Sequence, residues 1–288
     1  MSGPKSKLIE DAEIEPGKVE VTRTVDSPPE KVWEALTDPE KVIGWFGALS
    51  SPLVVGQSTR LDFGDGDFFS LNTRLIQPPY RLQYEWRFLG IGPLDTITWE
   101  TTPKNKSSLV KVTDTEPERT HEAARLLRQG WIDFTNRLVK YLRKGKPARY
   151  PWRHEFDACI ELGRNRVGVW DTLFQPGAQT RWLPLGASDL KEGADLIIED
   201  GLEPSAFRLR EVLFIPPSQV RLEITHEDWL CPTQCSLLLS PRREDFLLSV
   251  NHNGWEAISS QEDYQKRERT RFSLLWISAL QRARQLIG

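Results

Sequence analysis

Three cysteines in 288 residues, Cys159, Cys231 and Cys235, are an odd number and too few for a disulfide framework. The fold must rest on apolar packing, and a reducing compartment is the expected setting. No apolar run approaches the roughly 20 residues that a membrane-spanning helix requires. The opening stretch, MSGPKSKLIEDAEIEPGK, has no apolar centre of the kind a secretion signal carries. A net charge of -3 gives no general attraction to nucleic acid or to an anionic membrane. The glycine-bearing stretches GDGDF (64–68) and GIG (90–92) do not precede a helix, so they read as hairpin turns and not as phosphate cradles. These absences lead to the expectation of a cytoplasmic protein with no nucleic-acid or membrane partner.

What the chain has is tryptophan, eleven of them, and a phrase written twice. PPEKVWEALTDPEKVIGWF (28–46) returns as NRVGVWDTLFQPGAQTRWLPL (165–185). Trp33, Leu36, Pro39, Trp45 and Gly56 share their spacing with Trp170, Leu173, Pro176, Trp182 and Gly193. A Pro-Pro pair follows each copy, Pro78-Pro79 and Pro216-Pro217, with a slip of one residue. A period near half the chain is too long for a solenoid unit and implies two copies of one domain.

Within the first copy, KVEVTRTV (18–25) alternates as a half-buried strand. Asp26-Ser27 followed by prolines and Glu30 reads as a helix start, and Pro39 divides two short helices. From Thr59 to Asp114 the period is two, as in an antiparallel meander. Tyr80, Leu82, Tyr84, Trp86 and Phe88 fall on one face; parity adds Leu61, Phe63, Phe69, Leu71, Thr73, Leu75, Ile97, Trp99, Val110 and Val112. A helix from Glu118 to Lys144 turns Ala124, Leu127, Trp131, Phe134, Leu138 and Leu142 to one side. The second half repeats the plan and ends in a helix near Ser260–Leu286. The expected organisation is a disordered tail (1–17), a first domain (18–145), a linker (146–152) and a second, divergent domain (153–288). The fold class is α+β: two tandem domains, each a curved antiparallel sheet wrapped around a long C-terminal helix.

The PPEKVWEALTDPEKVIGWF phrase, Gly56, the PPYRLQYEW strand and the Gly130-Trp131 pair together resemble the helix-grip superfamily. That group includes START lipid-binding domains, the birch-pollen allergen, polyketide cyclases and activators of a heat-shock-protein ATPase. The second half departs from the pattern at Gln175 and has no Gly-Trp pair in its last helix. A narrower similarity runs to the self-sacrifice resistance proteins of enediyne producers, the calicheamicin type and a two-domain dynemicin-associated form. The resemblance implies a hydrophobic ligand held between sheet and helix. In the self-sacrifice case, it also implies a glycine whose Cα–H is offered to a ligand diradical, for which Gly90 and Gly92 are the candidates.

Residue patterns, taken with what the resemblance implies, then give three groups. Phe69, Tyr84, Trp86, Phe88, Trp99 and Trp131 are the candidate ligand-binding residues, as the walls of an aromatic cavity. Gly90 and Gly92 are the candidate cleavage positions. His226, Cys235 and His252 share inward parity in the second half and are expected to line a cavity mouth; no metal, cofactor or catalytic residue is assigned. The expected protein is monomeric and non-enzymatic, and binds an aromatic or polycyclic natural product, with antibiotic self-resistance as its purpose. A polyketide aromatase or cyclase is one alternative, although the first domain's inner face looks poor in acid and base groups. An interaction module of the chaperone-activator type is another.

Overall fold

The alternation of KVEVTRTV is realised in β1 (Lys18–Val25), which buries Val19, Val21, Arg23 and Val25 and turns the intervening residues outward. The computed structural model describes residues 15–163, 168–186, 188–199, 204–242 and 245–288. Within these, residues 15–64, 68–90 and 94–151 form one compact unit, and residues 65–67, 91–93 and 152–288 a second. Most of the tail expected at 1–17 lies outside the described residues. Gly17, however, is tied into the first unit, its N–H donating to Arg119 O at 3.0 Å.

In the first unit β1 is followed by α1 (Pro29–Thr37), α2 (Pro39–Val42), β2 (Ala48–Leu49), β3 (Ser58–Asp62), β4 (Phe68–Gln77), β5 (Arg81–Phe88), β6 (Asp95–Lys104), β7 (Ser107–Thr115) and α3 (His121–Lys144). All strand pairs are antiparallel, in the order β1-β7-β6-β5-β4-β3-β2. The helix α3 sends Ala124, Trp131 and Leu138 into the core that the sheet's inner residues form. Its N-cap is Thr120, whose hydroxyl accepts from Ala123 N, and its C-terminal Gly145 adopts φ 61°. The Asp26-Ser27 cap expected for α1 does not form; Pro28 holds the N-cap position, and Ser27 O instead accepts from Ser108 Oγ at 2.7 Å.

The second unit contains β8 (Phe156–Glu161), α4 (Val169–Phe174), β9 (Asp195–Ile198), β10 (Ser205–Ile215), β11 (Gln219–Thr225), β12 (Thr233–Pro241), β13 (Phe246–Asn253) and α5 (Glu262–Ile287). Its sheet is antiparallel, in the order β8-β13-β12-β11-β10-β9. Each unit thus has a first strand, short helical turns, a meander and a long last helix. Among the described residues no helix is long and apolar enough to cross a membrane.

The residues repeated in the sequence do the same structural work in both units. Trp45 Nε1 donates to Ala35 O at 2.8 Å and Trp182 Nε1 to Leu173 O at 3.0 Å, so each buried indole satisfies a carbonyl near the end of the first helix. Gly56 and Gly193 sit at φ 79° and 78°, where a side chain would be strained, and donate to Thr73 O and Leu209 O, both at 2.8 Å. Two parity assignments are corrected. A bulge in β4 shifts the register between Thr73 and Leu75, so Leu75 lies opposite Gln83, and Ile76, opposite Leu82, takes the core side. Tyr80 precedes β5 and is 51% exposed.

If these indoles are carbonyl partners as well as core, Trp45→Phe and Trp182→Phe should each cost about 1–3 kcal/mol, since a buried carbonyl loses its donor. Trp33→Phe, at a partly exposed position, should cost less. Urea unfolding of the three variants checks this, and equal losses at all three positions would contradict it.

Candidate functional site

The period of two on β4, β5 and β6 and the helical spacing on α3 bring six predicted aromatics into one set of ring contacts. Phe69 stacks on Trp86 with centroids 3.8 Å apart and planes at 12°, and Trp86 stacks on Trp131 at 5.4 Å and 12°. Trp99 meets Trp131 edge-on at 5.6 Å, Tyr84 lies 5.6 Å from Trp86, and Phe88 lies 5.1 Å from Phe69. Trp99 Nε1 donates to Tyr84 Oη at 3.0 Å, and burial pushes the Tyr84 phenol well up. Tyr84, Trp86, Trp99 and Trp131 are buried, whereas Phe69 and Phe88 are partly exposed. The inner four therefore form one packed cluster with the stacked pair Trp86 and Trp131 at its centre, and the two phenylalanines form its accessible end.

Beside the stack stand two carboxylates that sequence reasoning missed. Arg119 Nη2 donates to Asp95 Oδ1 and to Asp114 Oδ1, each at 2.6 Å, and Trp131 Nε1 donates to Asp114 Oδ2 at 2.8 Å. Asp114 is buried, while the Asp95 side chain keeps 19% of its surface exposed. Burial, and secondarily the Asp114 charge, raise Asp95 to about 7 against the pull of Arg119. Asp114 is also raised, by burial first, with Arg119 and the Trp131 N–H opposing. Trp86 faces Asp95 across β5 and β6; its buried indole N–H has no well-formed hydrogen bond, but its nearness favours the Asp95 carboxylate. The site therefore joins flat apolar surface to a carboxyl group that can hold or release a proton near neutral pH. The signal was present in the sequence. Asp114 continues the parity of Val110 and Val112, and Asp95 that of Ile97 and Trp99. The inner face is thus not poor in acid groups, which corrects that expectation.

The two glycines differ. Gly90, at φ 69°, is exposed, with only Phe68 and Ser70 side chains within 4 Å of where a Cβ would sit. Gly92 is buried and belongs to the second unit.

In the second unit, Cys235 and His252 face each other across β12 and β13, but His226 stands apart. Its ring lies 5.0 Å from Phe207, which packs at 4.8 Å on Phe272, itself 5.1 Å from His252. His252 is not at a cavity mouth. It is fully buried, its Nδ1 accepts from Trp276 Nε1 at 3.0 Å, and its Nε2 therefore carries the proton toward Thr233 Oγ1 at 2.8 Å. Burial, with Arg269 second, lowers it to about 3, and burial raises the Cys235 thiol. Both are neutral core groups at neutral pH, and among the described residues no three His, Cys, Asp or Glu side chains are grouped so that they could hold a metal.

A curved antiparallel sheet, two short helices after its first strand and a long last helix carrying an indole into an aromatic interior define a helix-grip domain, here present in tandem. Residues 26–143 match the family model described as Activator of Hsp90 ATPase homolog 1-like protein. DynU16, a protein in the dynemicin biosynthetic locus, is 32% identical over 95% of this chain and 100% of its own, with a TM-score of 0.87. The chain belongs to the same family of two-domain helix-grip proteins. CalU16 of Micromonospora echinospora is 18% identical over 49% of this chain and 88% of its own, with a TM-score of 0.40. The Aha1 protein of Colwellia psychrerythraea is 20% identical over 45% of this chain and 98% of its own, also at 0.40. No curated protein matches the chain.

The raised carboxyls have a consequence for stability. An aspartate in the unfolded chain titrates near about 3.9, below Asp95 in the folded protein at about 7. Between these values the folded state binds more protons, so this group makes stability fall as pH rises, with no further change above the window. Asp95→Asn removes the effect. Relative to wild type, the variant should gain stability steadily from about pH 4.5 to about pH 7.5 in urea unfolding of the full chain. A difference that does not change with pH would contradict the raised value.

Proposed function

We propose that the first unit binds a hydrophobic polycyclic natural product, which enters against Phe69 and Phe88 and rests on the cluster formed by Tyr84, Trp86, Trp99 and Trp131. The observation that carries this reading is the graded exposure of one ring network: two partly exposed phenylalanines lead directly to four buried rings in contact, of which Trp86 and Trp131 are stacked. Flat side chains of this kind offer large contact area at small entropic cost. The 32% identity to a protein of the dynemicin biosynthetic locus supports an enediyne or related polyketide as the ligand class and antibiotic self-resistance as the purpose. Sequestration requires nothing further. In a self-sacrifice variant, Gly90 is the better donor, because its Cα is exposed while Gly92 is buried. A hydrogen atom would pass from Gly90 Cα to a ligand carbon radical and leave the radical on the backbone. The protein acts in the cytoplasm as a monomer, without a cofactor.

Asp95 favours a second reading, an aromatase or cyclase acting on a polyketide chain. A carboxyl near 7 beside an aromatic wall is suited to proton transfer at neutral pH. Turnover separates the two readings, since a binding protein returns its ligand unchanged or is itself cut.

Titration of the full chain with an anthraquinone and with an intact enediyne should quench tryptophan fluorescence. Phe69→Ala and Phe88→Ala should each weaken binding by about tenfold, the worth of one ring contact. Mass spectrometry of the same samples reads cleavage next to Gly90. Absence of quenching with both ligand classes would sink the proposal.

A further inference from the structure

A cleft of about 700 Å³ opens in the second unit between α5 on one side and residues 184–186 with β9 on the other. Its floor is apolar, made by Pro184, Leu185, Ile197 and Leu275, and Leu274 stands at its rim, 57% exposed. Arg271, Leu275, Ser278 and Arg282 reach it from one stripe of α5, at the i, i+4, i+7, i+11 spacing that places side chains on a common face. Such a volume lies in the range of small-molecule sites.

The polar groups differ in how they are engaged. Arg271 is held by Glu268 at 3.0 Å and by Ser205 Oγ at 2.9 Å. Arg282 donates to two neutral oxygens, Trp182 O and Ser278 Oγ, both at 2.9 Å; among the described residues it makes no ion pair with a carboxylate. Its charge is partly removed from water, and that burial lowers its pKa. The two neutral oxygens fix the direction of the guanidinium and leave donors unused, since a guanidinium carries five N–H bonds. A half-buried cation that no described carboxylate pairs with, beside an apolar floor, is complementary to an acid with a hydrocarbon body. Glu199, also in the lining, disfavours a second negative charge on that ligand.

We propose that this cleft binds a hydrophobic monocarboxylate, with the carboxylate on Arg282 and the hydrocarbon against Leu185, Ile197 and Leu275. The site is distinct from the ring network of the first unit, and neither depends on the other.

The test uses the full chain, with 2-naphthoate, laurate and the neutral 2-naphthamide as probes, read by calorimetry and by amide shifts in NMR. At least one carboxylate should bind and shift Leu185, Gly186 and Ser278, and the amide should bind about tenfold more weakly or worse, as expected when a charge-assisted hydrogen bond is lost. The better carboxylate shows whether a ring or a chain is preferred. Arg282→Gln should lower carboxylate affinity by a similar factor and leave the amide unaffected. Leu274→Glu, an exposed change that leaves the Arg282 hydrogen bonds in place, should act in the same direction and serves if the arginine variant does not fold. The proposal is overturned if neither carboxylate binds, if naphthoate and naphthamide bind equally, if the shifts fall only around Trp86 and Trp131, or if Leu274→Glu changes nothing.

Discussion

Burying the Asp114 carboxylate is the constraint around which the first unit is arranged. A carboxylate with 1% of its side-chain surface exposed must be paired and hydrogen-bonded to remain in the interior. Arg119 and the Trp131 indole meet that requirement from the turn just before α3 and from within the helix. The strand end at Asp114 and the helix are thereby held in one register. Trp131 cannot turn away from Asp114, so its ring is fixed parallel to Trp86, and the stack extends from there to Phe69. The aromatic interior and the raised carboxyls share this single cause.

The two units use the same scaffold toward different interiors. Their indole-to-carbonyl bonds and positive-φ glycines coincide, which accounts for the repeated phrase. Inside, the first unit has a carboxylate pair against tryptophan, whereas the second has a neutral His252 held by Trp276 and Thr233. A group raised to about 7 can exchange its proton under ordinary conditions; one lowered to about 3 cannot. The chemical versatility therefore lies in the first unit, and the second offers its surface cleft.

Much of this was legible in the sequence, for physical reasons. Alternation on β1 and β5 and the spacing of Trp131 and Leu138 on α3 follow from burying one face, so architecture and aromatic set could be read together. The bulge before Leu75 could not be read, because a one-residue slip leaves no compositional trace. Asp95 and Asp114 have inward parity, but a carboxylate is not expected in an interior until its partner is known. That partner, Arg119, lies on neither strand and reaches them only through the chain turn before α3. In the second unit parity placed His226 and His252 together, but the rings of Phe207 and Phe272 stand between them.

The proposed function requires Asp95 to be held in a low-dielectric interior that a bound flat ligand would close off. Carboxyl ¹³C NMR of Asp95, followed against pH with and without a bound anthraquinone, tests it most directly. The expected midpoint is about 7 in the free chain, moving upward when the ligand excludes the remaining water. A midpoint near the ordinary value of about 4, indifferent to the ligand, would contradict it.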